Sequence, residues 1–149
     1  MRVLVVDDEA SKRRQVVTLL RTLAHVDVID EASSYQGALE QLRNNPFDWV
    51  VLDMRLTTFD MTAADAGGTP RKFGGDEVLR KMTRRGITAK VIVLTQYSLF
   101  RESGDILTLD NLKERLRQRY AVFVDLIPFQ HSNNEWQIRL AALISPEST

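Results

Sequence analysis

An α/β fold with a parallel, doubly wound sheet follows from three features of this chain. Short apolar runs recur along it: Val3-Leu4-Val5-Val6, Trp49-Val50-Val51-Leu52 and Val91-Ile92-Val93-Leu94. They are near-continuous rather than alternating, the signature of strands covered by helices on both faces. Stretches with helical spacing fill the intervals between them, and strand–helix alternation implies right-handed crossovers in one sheet. Each run also delivers polar residues at its carboxyl end: Asp7-Asp8, Asp53 and Thr95, with a further strand ending near Ile127-Pro128-Phe129. Ligands of such sheets bind outside the carboxyl ends of the strands, where the strand order reverses. Three carboxylates and a hydroxyl meeting there would form a cation site containing a nucleophile.

The elements can be justified in order. After the first strand, Ser11 can cap a helix whose apolar positions Val16, Leu19, Leu20 and Leu23 follow the i, i+3, i+4, i+7 rule. His25 to Asp30 carries Val26, Val28 and Ile29 and reads as a short edge strand. Ser33 or Ser34 opens a second helix with Ala38, Leu39 and Leu42 inward, closed by Asn44-Asn45-Pro46. Gly75 to Arg85 gives a third, with Val78, Leu79 and Met82 on one face and Gly86 after it. Thr108 caps a fourth carrying Leu109, Leu112 and Leu116. Asn133 or Asn134 caps a fifth with Trp136, Leu140, Leu143 and Ile144 inward.

Composition narrows the function classes. Lys plus Arg and Asp plus Glu both number 20, so no bulk charge draws the chain to nucleic acid or to an anionic membrane. The absence of cysteine excludes disulfides and thiolate chemistry and suits a cytoplasmic setting. No segment approaches the ~20 apolar residues of a spanning helix. His25 and His131 are isolated and read as structural or solvated, and Trp49, Met54 and Phe59 read as packing residues. Gly74-Gly75-Asp76-Glu77 resembles the turn signature of diguanylate cyclases, but a Gly-Gly turn into an acidic first helical turn explains the same four letters.

The ordered set Asp7-Asp8, Asp53, Thr95 and Pro128-Phe129 resembles the receiver domain of two-component response regulators, from Arg2 to about Ile144. The resemblance implies a flavodoxin-like five-stranded sheet in the order 2-1-3-4-5, which sets Asp8 beside Asp53. It implies that Asp53 accepts a phosphoryl group from a histidine kinase or phosphotransfer protein, a recognised role for a carboxylate nucleophile. Nucleophile, donor and product are all anionic, so a hard cation such as Mg²⁺ is expected to screen them. By the resemblance, Asp8 and Asp53 ligate Mg²⁺ directly, Asp7 through water and Arg55 through its carbonyl, while the Thr95 hydroxyl bonds a phosphoryl oxygen. Enzymatic activity would be confined to gain and loss of the protein's own acyl phosphate. Signalling would proceed by docking to a downstream protein through helix four, strand five and helix five; homodimerisation in that region is a further option. One receiver-like domain over residues 1–149, with no output domain, is expected.

Two departures from the family pattern stand out. Ile127 occupies the place of the family's lysine, and Lys113 is the last lysine in the chain. The family's switch aromatic falls on Val124, next to Phe123, and the resemblance implies a cis Ile127-Pro128 bond. Long connections also follow the third and fourth strands of the sheet, at about 56–74 and 96–107, where ~2–6 residues are usual. The first is placed to fold over Asp53 as a lid. Arg71, Lys72 and Arg101 lie in these insertions and are candidates to replace the lysine. Ile127, Val124 and the insertions keep open a pseudo-receiver that binds its partner without phosphorylation. A Mg²⁺-dependent phosphohydrolase is disfavoured, because no second general-acid carboxylate accompanies Asp53.

Overall fold

The computed structural model describes residues 1–57, 70–71, 74–96, 99–102 and 105–145. Its main sheet is parallel and has five strands: β1 (Arg2–Val6), β2 (Val28–Ala32), β3 (Trp49–Leu52), β6 (Lys90–Thr95) and β9 (Phe123–Pro128). Their spatial order is β2-β1-β3-β6-β9, which is the expected 2-1-3-4-5. Five helices alternate with these strands: α1 (Ala10–Arg21), α2 (Tyr35–Asn44), α3 (Gly74–Arg85), α4 (Leu109–Arg119) and α5 (Glu135–Leu143).

Two cores explain the apolar runs. On one face Leu4, Val6, Val50, Leu52, Val91 and Val93 pack with residues of α2, α3 and α4. On the other, Val3, Val5, Trp49, Val51, Ile92, Leu94 and Ile127 pack with α1 and α5. Alternate strand residues therefore enter opposite cores, and every residue of β3 is buried.

The helix entrances follow the expected chemistry at two points and depart from it at two. Ser34 Oγ accepts from the Gly37 amide at 3.0 Å, and Thr108 Oγ1 accepts from the Asn111 amide at 3.2 Å. Ser11 is not a cap: α1 begins at Ala10, with Glu9, two residues earlier, at the cap position and no side-chain cap bond. Asn134 is the cap residue of α5 but makes no cap bond. Instead Asn133 Oδ1 accepts from the Glu135 amide at 3.2 Å.

The long connections contain secondary structure. Leu56–Thr57 (β4) pairs antiparallel with Pro70–Arg71 (β5), and Leu99–Glu102 (β7) with Asp105–Thr108 (β8). Both ribbons leave the carboxyl edge of the main sheet. Arg71 and Arg101 lie in β5 and β7; Lys72 and Phe59 lie outside the described residues, as does most of the segment expected as a lid.

The expectation of a cis Ile127-Pro128 bond is overturned, since no cis peptide is present among the described residues, which include this pair. Strand β9 stays extended through this pair: Ile127 remains level with Leu94 and Pro128 with Thr95, and the Phe129 amide donates to the Thr95 carbonyl at 2.8 Å. The ladder holds a trans bond there, and the missing proline N–H is tolerated because β9 is an edge strand. A bulge between Val91 and Ile92 sets Phe123 and Asp125 against consecutive residues of β6, leaving Val124 as the extra residue. Phe123 is thereby buried on the α4 side, while Val124 packs at the margin of the opposite core.

Candidate functional site

Backbone bonds at the carboxyl edge of the sheet position the acidic residues. The Asp7 amide donates to the Ala32 carbonyl and the Asp53 amide to the Val6 carbonyl, each at 3.0 Å, so the parallel ladders extend one residue beyond β1 and β3. The three carboxylates of Asp7, Asp8 and Asp53 consequently offer oxygens within 4.8 Å of one another. Asp7 and Asp53 are buried, and Asp8 stands exposed at the rim. Thr95 is fully buried at the end of the adjacent strand β6. Arg55, two residues beyond Asp53, is half-buried.

The chain behind Asp53 is held by an unusually close approach. The first turn of α3 meets the segment leaving β3, and the Gly75 amide donates to the Met54 carbonyl at 2.9 Å. A Cβ on Gly75 would lie 2.6 Å from the Asp53 carbonyl oxygen and 2.8 Å from Met54 Cα. A Cβ on Gly74 would lie 2.7 Å from Leu56 Cβ. The Gly74-Gly75 pair is therefore a seat for helix against strand, and it lies in the first turn of α3 itself rather than in a turn before the helix.

The sequence reasoning missed Lys12. This α1 lysine is 1% exposed, and its Nζ lies 2.8 Å from Asp7 Oδ2, 3.5 Å from Asp53 Oδ1 and 2.7 Å from the Leu94 carbonyl to which it donates. A signal was present: Lys12 falls four residues before Val16, on the buried stripe of α1. Nζ also sits 5.5 Å from the Phe129 ring centroid. That ring is edge-on to His131 at 4.8 Å and tilted against Trp136 at 5.0 Å. His131 in turn bridges to Gln15 at 2.9 Å and Glu9 at 3.0 Å, a structural role in keeping with its reading. His25 contacts the Ile144 carbonyl, tying the segment after α1 to the end of α5.

Burial dominates the electrostatics. It pushes the Asp53 carboxyl up to about 7; Lys12 opposes the rise, Asp7 and Asp8 add to it, and a backbone hydrogen bond from Arg55 favours the ionised form. Asp7 is raised by burial against the pull of Lys12, and Asp8 by partial desolvation and the charge of Asp7. Asp53 Oδ1 is buried without a hydrogen-bond partner. Hard anionic oxygens that raise one another's pKa, one of them unsatisfied, suit a divalent cation such as Mg²⁺.

Comparison with known proteins agrees with this geometry. The family model for the response regulator receiver domain matches residues 3–110. The Detocs response regulatory protein DtcB of Enterobacter cloacae is 25% identical over 148 residues, covering 97% of this chain and 99% of that protein. The response regulator TrrA of Thermotoga maritima, solved in complex with Mg²⁺-BeF, superposes with a TM-score of 0.59 at 22% identity, over 96% of this chain and 98% of that one. CheY6 of R. sphaeroides, solved in complex with the P1 domain of CheA3, superposes with a TM-score of 0.61 at 21% identity, over 96% and 95%. These two likenesses establish the shared fold.

Proposed function

Since the chain belongs to the response regulator receiver domain family, we propose that Asp53 accepts a phosphoryl group and that the modified protein signals through protein–protein contacts. One observation carries the reading: the unsatisfied Asp53 Oδ1 faces a cluster of carboxylates whose oxygens lie within 4.8 Å of one another.

In the reaction an Asp53 oxygen bonds the donor phosphorus while the bond from phosphorus to its leaving group breaks. The leaving group is an imidazole nitrogen for a phosphohistidine donor, or acetate for acetyl phosphate. The product is an acyl phosphate, which water later cleaves to restore the carboxylate, so catalysis is limited to the protein's own modification. Asp7, Asp8, Asp53 and the Arg55 carbonyl are the groups that would hold Mg²⁺, whose role is to neutralise the converging anions. Ionised Asp53 is the attacking form, and its burial strips away water that would blunt the nucleophile. Thr95, at the end of the neighbouring strand, is the hydroxyl donor for a phosphoryl oxygen. The modification adds about −1.5 to −2 charges and strong acceptors, enough to reorder contacts at a sheet edge.

The CheA3 P1–CheY6 complex supports a histidine kinase or phosphotransfer protein as donor. Among the described residues no helix is long and apolar enough to cross a membrane, and a cytoplasmic signalling role fits that. On α4, β9 and α5, Asp125 pairs with Lys113 at 2.8 Å and with Arg139 at 3.2 Å. This charged seam favours the same three elements as the docking surface for a downstream protein. The pseudo-receiver reading draws on one specific observation, the burial of Ile127 at 0% exposure in the place of a cation.

Intact mass after incubation with Mg²⁺ and acetyl phosphate tests the proposal, with Asp53→Ala as control. Addition of one phosphoryl group, lost in the variant, is the expected result. Unmodified wild-type protein, with a phosphotransfer protein also failing as donor, would establish the pseudo-receiver.

A further inference from the structure

The site holds a buried cation that its strand pattern does not supply. A fully buried ammonium is costly unless it is paired and hydrogen-bonded. Lys12 meets that condition through two anchors at hydrogen-bond length, the Leu94 carbonyl at 2.7 Å and Asp7 Oδ2 at 2.8 Å. Its third neighbour, Asp53 Oδ1, is 3.5 Å away, beyond hydrogen-bond length, and has no other polar partner. The ammonium is thus held by two groups that do not react, with capacity left toward the oxygen that does. Ile127 lies level with Leu94 in the neighbouring strand and fills its place with hydrocarbon. Lys12 is thus a cation that reaches Asp53 from α1.

Resting on the function proposed above, we infer that Lys12 is a catalytic residue of this receiver: delivered from α1 rather than from β9, its ammonium bonds an oxygen of the phosphoryl group carried by Asp53. When the Asp53 oxygen forms its bond to phosphorus and the leaving group departs, Asp53 gives up its own carboxylate charge and gains the phosphoryl oxygens. Lys12 keeps all its protons throughout. Nζ exchanges a long approach to Asp53 Oδ1 for a short bond to a phosphoryl oxygen while the Leu94 and Asp7 anchors stay in place.

The test uses the full chain with Lys12→Met, Lys12→Gln and Lys12→Arg. Mg²⁺ affinity is read by titration calorimetry, and the phosphorylation rate by intact mass with acetyl phosphate at saturating Mg²⁺. The inference predicts that Lys12→Met binds Mg²⁺ more tightly than wild type, because a competing positive charge has left the carboxylates. It also predicts modification slower by about 10²-fold, the usual loss when one charge-stabilising donor is removed. Lys12→Arg recovers part of that rate because it keeps the charge. Loss of a purely structural lysine would relieve the same competition for Mg²⁺ without slowing modification at saturating Mg²⁺, so the rate and its partial recovery in Lys12→Arg decide between the two roles. Should Lys12→Met lose its cooperative melt, Lys12→Gln, which keeps an N–H for the Leu94 carbonyl, carries the same comparison. Neutral variants modified at the wild-type rate overturn the role of Lys12 and leave the proposed function standing. A wild-type protein that binds Mg²⁺ but accepts no phosphoryl group overturns the function itself, and the role of Lys12 with it.

Discussion

Replacing Gly75 with alanine sets two expectations of opposite sign against each other. By helix propensity alone, alanine is better than glycine by about 1 kcal/mol in a helix interior, so Gly75→Ala in α3 should stabilise. The structure predicts the reverse. The new methyl would sit 2.6 Å from the Asp53 carbonyl oxygen and 2.8 Å from Met54 Cα, and both obstacles are backbone. Neither can rotate away, so the first turn of α3 must lift from the strand end or Asp53 must shift. Overpacking of this kind costs about 1–3 kcal/mol, and two backbone clashes place this case in the upper part of that range. After the propensity gain, a net loss of about 1–2 kcal/mol remains, or roughly 3–6 °C in Tm for a chain of this size. Urea denaturation followed by circular dichroism measures it. Modification by acetyl phosphate should slow about tenfold, since small misplacements of a reacting group are expensive. The control is Gly86→Ala, at a φ of +67° with no atom within 4 Å of the new Cβ. It should cost about 1 kcal/mol through backbone strain alone and leave modification unchanged. A Gly75→Ala protein as stable as wild type or more so would refute the account of the helix seat.

The remaining predictions concern charge. Asp53 has its folded-state pKa raised to about 7 by burial, so it is most compatible with the fold when protonated and destabilises increasingly as pH rises from the ordinary carboxylate range through 7. In metal-free buffer Asp53→Asn should therefore melt higher than wild type at pH 8, and the gap should narrow at pH 5; an equal gap at both pH values would count against the assignment. Asp125 shows the opposite sign: burial would raise it, but the Lys113 hydrogen bond, the Leu126 amide and Arg139 together hold it below the usual range. Its stabilisation is present above the ordinary carboxylate pKa and fades as pH falls through the lowered value. Asp125→Asn should accordingly cost about 1 kcal/mol at pH 7, as a half-buried surface network does, and progressively less in urea melts as pH falls below the ordinary carboxylate range.

The acidic site was legible in the sequence because each of its members follows a run of apolar residues that has no choice but to be buried. Val6, Leu52 and Leu94 fix where Asp7, Asp53 and Thr95 emerge, whatever the loops do. Lys12 was not legible in the same way. It stands beside Arg13 and Arg14, in a run that reads as a solvated face, and only its phase relative to Val16 separates it from them. The three cations proposed from the insertions rested on proximity along the chain. Lys12 comes to the site from 41 positions before Asp53 and 82 before Leu94, a separation that only the fold closes. The paired strands β4–β5 and β7–β8 were also missed, because two to four residues without clean alternation carry too little pattern to separate a ribbon from a loop. The trans bond at Pro128 and the bulge at Val124 depend on the β6–β9 ladder, which neither segment encodes by itself.

That ladder has a consequence for assembly. A parallel sheet exposes two strand edges, and an open edge invites another chain to add to it. Here the β9 edge is interrupted by the bulge at Val124 and by Pro128, which offers no N–H to an incoming strand. The β2 edge carries Asp30 and Glu31, each held by an arginine of its own chain, Arg2 at 2.9 Å and Arg13 at 3.0 Å. Edge-to-edge growth is discouraged at both ends of the sheet by different means. A copy of this protein, or a partner, that meets the main sheet would do so through the helices covering its faces, and such complexes would form and separate without exchange of its ladder hydrogen bonds.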